Sequence, residues 1–138
     1  MTSELTGKVL GVGGVFFRSP DPGRLAGWYR ETLGLETESW GATHGTSFSP
    51  GAMPANAFTV WSTFPSDTEY FGDRRQSFMV NLVVDDLDAA LANVRDAGGK
   101  VMPEKEEHDF GRFGWFIDPD GNRVELWEPP EKIPEQSE

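Results

Sequence analysis

The stretch Gly111-Arg112-Phe113-Gly114-Trp115-Phe116-Ile117-Asp118-Pro119-Asp120-Gly121-Asn122-Arg123-Val124-Glu125-Leu126-Trp127-Glu128 decides how the chain is read. Two aromatic and β-prone runs flank a turn with Pro119 at its second position and Gly121 at its fourth, where a left-handed backbone is cheap only for glycine. The pattern predicts a β-hairpin. Strand side chains alternate between faces, so Arg123, Glu125 and Trp127 share one face and Val124 and Leu126 take the other. On the partner strand Phe113, Trp115 and Ile117 fall on the side of Glu125. Glu125 is then a single carboxylate among aromatic positions, facing either a cavity or, on the usual one-face-wet pattern of antiparallel sheets, water.

Length and charge narrow the setting of this hairpin. With 138 residues the chain fits one domain able to bury a core. The 12 basic and 23 acidic side chains give a net charge of -11, which argues against nucleic acid or an anionic membrane as partner. There is no cysteine, which removes disulfides, thiolate metal sites and a cysteine nucleophile. Met1 to Lys8 lacks the basic-then-apolar order of a secretory signal, and no apolar run approaches a membrane span, so a soluble cytoplasmic protein is expected.

Upstream, Val9 to Arg18 reads as a glycine-broken strand, and Gly13-Gly14 lacks the Lys and Ser/Thr of a phosphate loop. Asp21 and Pro22 open a helix with Leu25, Trp28, Tyr29 and Leu33 on one face, ended by Gly34. Leu35 to Trp40 and Thr46 to Ser49 read as short strands around a turn containing His44, Pro50 to Asn56 as a loop, and Ala57 to Phe64 as a strand. Pro65 to Gln76 is polar, without period, and reads as a linker. Ser77 to Val84 is a strand, and Asp86 caps a helix carrying Leu87, Ala90, Leu91 and Val94 that Gly98-Gly99 stops. Lys100 to Pro103 reads as a short strand and Glu104 to Asp109 as an acidic loop before the hairpin, with a frayed tail from Glu131.

The two halves repeat. A shift of 65 lays Asp21 on Asp86, Arg30 on Arg95 and Gly34 on Gly99, and a shift of 66 lays Thr59 on Glu125 and Trp61 on Trp127. The expected class is α+β: tandem βαβββ modules, about 8–64 and 77–130 with the linker 65–76 between, forming a curved mixed sheet around a concave pocket with the helices outside. With Asp21-Pro22, Trp28-Tyr29-Arg30, Leu33-Gly34-Leu35, Val84-Asp85-Asp86-Leu87-Asp88 and Asp118-Pro119-Asp120-Gly121-Asn122 before Val124-Glu125-Leu126, the chain resembles the vicinal oxygen chelate superfamily. Its members include glyoxalase I, bleomycin-resistance proteins, fosfomycin-resistance enzymes and extradiol dioxygenases. The match runs from about Val9 to Pro130 and is specific for the fold rather than for one reaction.

The resemblance implies divalent-metal ligands at the first and last strand of each module, which here are Gly14, Thr59, Met79 and Glu125. Glycine has no side chain, a thioether suits hard cations poorly and a Thr hydroxyl is a weak ligand, so Glu125 stands nearly alone. His44 and His108 fall off the strand positions that the family uses. No metal ligand and no cofactor are assigned; a divalent metal is the minor alternative. The register offers Phe16, Arg18, Thr59, Trp61, Met79, Asn81, Trp115 and Trp127 as ligand-binding residues around Glu125.

The first expectation is a small-molecule-binding protein of the glyoxalase and bleomycin-resistance kind with an aromatic, metal-free pocket. The alternative is a lyase, isomerase or epimerase of the glyoxalase type, or a dioxygenase relative, in which Glu125 is the catalytic general base. A third reading is an interaction module whose own aromatic side chains close the pocket. The family implies a homodimer.

Overall fold

In the computed structural model, which describes residues 6–8, 10–72 and 76–131, the local signals around Asp21 and Asp86 produce two helices. Helix α1 spans Pro22–Leu33; Asp21 caps it by accepting from the Arg24 N–H, and Gly34 at φ 76° ends it. Helix α2 spans Leu87–Asp96, where the Asp86 side chain accepts from the Ala89 N–H at 3.0 Å. Glu128 adds a second cap by accepting from the Leu87 N–H at 2.8 Å. This contact ties the start of α2 to the end of the last strand.

The second half forms a complete βαβββ unit. Strands β3 (Val80–Val83), β4 (Lys100–His108), β5 (Gly111–Ile117) and β6 (Arg123–Glu128) make one sheet in the order β3-β6-β5-β4. β3 runs parallel to β6, and the β4-β5 and β5-β6 pairs are antiparallel. The hairpin predicted from the sequence is β5-β6, and its register sets Trp115 opposite Glu125 and Phe113 opposite Trp127. Asp118 holds the turn: its Oδ1 accepts from the Asp120 and Asn122 N–H groups, both at 2.9 Å. Gly121 takes φ 87° there, the conformation expected of it.

Leu25 and Tyr29 of α1 and Leu87, Ala90, Leu91 and Val94 of α2 pack on Phe116, Val124 and Leu126. Complete burial of Leu87, Phe116 and Leu126 contributes roughly 1.5–3 kcal/mol each. Phe116, Val124 and Leu126 are the strand residues that alternate with Trp115 and Glu125, so both helices lie on one side of the sheet and Glu125 lies on the other. The α+β class and the outer placement of the helices agree with the sequence reading.

The first half differs from its expected elements. After α1 come only β1 (Glu38–Trp40) and β2 (Thr43–Gly45), an antiparallel hairpin, and a short 3-10 turn at Pro50–Ala52. The predicted strand Thr46 to Ser49 is not formed: the second strand ends at Gly45, just before it, and takes in His44 from the predicted turn. No strand is formed among residues 10–18 or 57–64; Val9, where the first was to begin, lies outside the described residues. The side chains there explain why. Leu10, Phe16, Phe58, Val60 and Trp61 are exposed, and Gly11, Gly13 and Gly14 add nothing to pack, so no burial stabilises a ladder.

The predicted acidic loop Glu104 to Asp109 is another correction, since Glu104 to His108 continue β4. A register irregularity between Val101 and Lys105 takes up Pro103, and pairing resumes from Lys105 opposite Gly114 to His108 opposite Gly111. Charges are tolerated because β4 is an edge strand and Arg112 of its neighbour bonds Glu107 at 3.0 Å. Of the expected linker, Asp73, Arg74 and Arg75 lie outside the described residues, as do residues 132–138 of the tail.

Candidate functional site

Three paired strands bring Asn81, Glu125 and Trp115 into one row, because residues directly opposite across a ladder share a face. Glu125 keeps 7% of its surface exposed, and its carboxylate is satisfied by side chains. The Asn81 Nδ2 donates to Oε1 at 2.6 Å, and the Trp115 Nε1 donates to Oε2 at 3.0 Å. A third donor, the Tyr70 hydroxyl, also bonds Oε2.

Tyr70 reaches the carboxylate from the connection between the halves. Its ring stacks on Phe64 with centroids 5.4 Å apart and meets the Trp115 ring edge-on at 5.8 Å. The Arg123 Nε donates to the Tyr70 carbonyl at 3.1 Å, and the guanidinium lies 5.5 Å from the centre of the Trp115 ring. Burial raises the Tyr70 hydroxyl pKa well above the usual phenol range, and the hydrogen bond to Glu125 and its charge push the same way. The phenol therefore stays a donor.

The next row along the sheet is aromatic. Trp127 stacks on Phe113 with centroids 6.1 Å apart, Phe58 packs on the Trp127 ring at 5.0 Å, and the Trp127 Nε1 donates to the Phe110 carbonyl. At its edge His108 stacks on Phe110 at 4.9 Å and bonds Glu106 at 3.0 Å.

Of the residues picked from the sequence, the structure assembles Glu125, Asn81, Trp115 and Trp127. The others make no hydrogen bond to the carboxylate among the described residues. Phe16 and Trp61 are 90% and 79% exposed, Arg18 and Thr59 are exposed, and Met79 is half-buried beside the start of β3. His44 lies against Gly23 at the start of α1. Sequence reasoning missed Tyr70, since it treated Pro65 to Gln76 as a linker; the signal was the Tyr70-Phe71 pair in an otherwise polar segment. Two shallow depressions of about 320 and 300 Å³ border α2, the first lined by Leu91, Arg95 and Met102 and the second by Leu33, Val84 and Asn93. Neither includes Glu125.

The sequence pattern of the glyoxalase-like domain matches residues 14–127. The chain belongs to the glyoxalase-like domain family. Among solved structures, a member of the glyoxalase/bleomycin resistance protein/dioxygenase superfamily from Sphaerobacter thermophilus is 19% identical, with 87% of this chain and 98% of that one covered at a TM-score of 0.52. TnmS3, an antibiotic binding protein from Streptomyces sp. CB03234, is 21% identical over 80% of this chain and 88% of its own, with a TM-score of 0.46. The oxidase ChaP-H2 is 18% identical over 81% and 87%, with a TM-score of 0.48. No curated protein matches the sequence.

The metal that this glyoxalase-like fold implies does not suit the residues present. Gly14, Thr59 and Met79 offer no strong hard-cation donor, and the Glu125 oxygens are engaged by N–H and O–H donors. Among the described residues no three His, Asp or Glu side chains gather where they could hold an ion.

Proposed function

We propose that this glyoxalase-like protein binds a small organic molecule on the sheet face opposite its helices, with Glu125 as polar anchor and Trp115, Trp127 and Phe113 as apolar walls. The observation that carries this reading is a buried carboxylate held by Asn81 and Trp115 in one cross-strand row beside stacked aromatic rings. A few fixed polar groups within aromatic surface are what small-ligand recognition requires. Binding stands ahead of proton transfer because all three donors compete with a substrate proton for the Glu125 oxygens.

A homodimer is part of the proposal. Exposed Leu10, Val12, Val15, Phe16, Phe17, Val60 and Trp61 support it, as large apolar side chains that a second copy could cover. Sedimentation equilibrium tests it.

The binding reading is tested by titrating the protein with proflavine, a planar aromatic cation suited to a chain of net charge -11. Saturable quenching of tryptophan fluorescence is expected, insensitive to a chelator and weakened about tenfold in Glu125→Gln, the loss set by one charge-assisted contact. Absence of saturation, or quenching abolished by the chelator, refutes it.

A further inference from the structure

Glu125 takes its three hydrogen bonds from two kinds of source. Asn81 and Trp115 are fixed by strand pairing on either side of it. Tyr70 belongs to a connection whose described backbone N–H groups bond locally, Thr68 N–H to Pro65 O, Tyr70 N–H to Thr68 Oγ1 and Gly72 N–H to Glu69 O, while its far end is held by Gln76, which bonds the Arg123 N–H and carbonyl. The polar ties that hold Tyr70 on the sheet are its own hydroxyl on Glu125 and its carbonyl on Arg123. Its ring is half-buried, stacked on Phe64 and edge-on to Trp115.

We propose that Tyr70 is a displaceable occupant of the ligand site, and that the molecule displacing it is a planar aromatic bearing a hydroxyl group. The proposal rests on the small-molecule-binding reading and adds the ligand class and the self-occupied state. With the Tyr70 side chain withdrawn, Glu125 Oε2 retains only Trp115 of its two donors, and a ring-shaped space is left beside Trp115. The missing partner is then an O–H donor on an aromatic ring. A ring without that donor leaves the buried carboxylate short of a bond, and this deficit is the source of discrimination. Tyr70 lowers the apparent affinity for such a ligand by holding the same place, as any competing intramolecular state does.

The test uses p-cresol, which is the tyrosine side chain itself, and toluene, which lacks the hydroxyl. Calorimetric titrations are run on the full chain, on Tyr70→Ala and on Tyr70→Phe. Tyr70→Ala is expected to bind p-cresol about tenfold more tightly than the parent protein and about tenfold more tightly than it binds toluene, the scale of one hydrogen bond to a charged group. If Tyr70→Ala does not fold, Tyr70→Phe carries the comparison, because loss of the hydroxyl alone frees Oε2 and again tightens p-cresol binding over the parent. Equal p-cresol affinity in the parent and the variants, or equal affinity for p-cresol and toluene, overturns the proposal. Should p-cresol bind all three proteins equally and lose affinity in Glu125→Gln, this proposal falls while the binding reading stands. No saturable binding to any of them overturns the proposal, whereas proflavine binding decides the broader reading by itself.

Discussion

Asn81 and Glu125 stand directly opposite each other on the parallel pair β3 and β6, and the Asn81 amide donates to Glu125 Oε1 across 2.6 Å. This bond joins the first strand of the second module to its last, through side chains as well as backbone. It also leaves Oε2 to Trp115 and Tyr70, so every donor at the carboxylate comes from a different segment of the chain.

Replacing Glu125 by Gln removes the charge that three donors share and puts an NH2 group at one of the two acceptor places, where it faces another donor as long as the Asn81 amide keeps its present orientation. A buried polar group left without a partner costs roughly 1–3 kcal/mol. Glu125→Gln is expected to fold with an unchanged far-ultraviolet spectrum and to lose about that much unfolding free energy, seen as a lower urea midpoint. An unchanged midpoint is evidence against these bonds as a source of stability.

Both tyrosines of the chain donate to a carboxylate, Tyr29 to Asp118 at 3.0 Å and Tyr70 to Glu125. Burial first, then the neighbouring carboxylate, raises both hydroxyl pKa values above the unfolded value near 10. Above that pH the unfolded chain releases protons that the native chain keeps, so unfolding becomes easier as pH rises. The stabilising contribution is intact below pH 10 and declines above it. Absorbance at 295 nm should show no tyrosinate in the native protein through that pH, with both tyrosines ionising together on unfolding; a native titration near pH 10 contradicts the hydrogen-bonded arrangement.

The parts of this site that are legible in the sequence are those set by local periodicity. The turn at Asp118-Pro119-Asp120-Gly121 pins the hairpin register, and the register alone places Trp115 opposite Glu125. Asn81 follows from the alternation of side chains along its strand. Tyr70 was hidden because a docked loop has neither a helical nor a strand period, and its position depends on the pairing of Arg123 with the Tyr70 carbonyl. Glu104 to His108 has the sequence of a solvated loop because charge runs usually are loops, whereas an edge strand accepts charges where its neighbour supplies Arg112. The β-prone runs at 10–18 and 57–64 show the converse: propensity reports a fit to a pleated, half-buried surface, and in this chain no such surface covers them.

Gly114 lies under α2, where a Cβ would come within 2.9 Å of Leu91 Cδ1 and 3.4 Å of Leu87 Cδ1. Both leucines are buried and have little room to retreat. Gly114→Ala is expected to push α2 off the sheet and destabilise by about 1–3 kcal/mol, the range for overpacking a filled core. The check is the thermal midpoint, and a variant as stable as the parent means that the contact between α2 and β5 is loose.

The most searching variant is Asn81→Asp, which keeps the shape of the side chain and exchanges the donor for an acceptor. At neutral pH two carboxylates then meet at the 2.6 Å separation that now holds a hydrogen bond, and like charges so close do not both remain ionised. The pair takes up a proton more readily than either residue does in the unfolded chain, where an aspartate titrates near 3.9. Such a raised affinity adds stability at low pH and loses it as pH rises through the titration of the pair. The stability gap between Asn81→Asp and the parent is therefore expected to be widest at pH 7 and to close as pH falls toward 4. Asn81→Leu, which removes the donor without adding charge, should show a gap that changes much less over the same range. Urea unfolding of the three proteins at several pH values decides the matter: parallel pH profiles for Asn81→Asp and Asn81→Leu would mean that Asn81 and Glu125 do not face one another in solution.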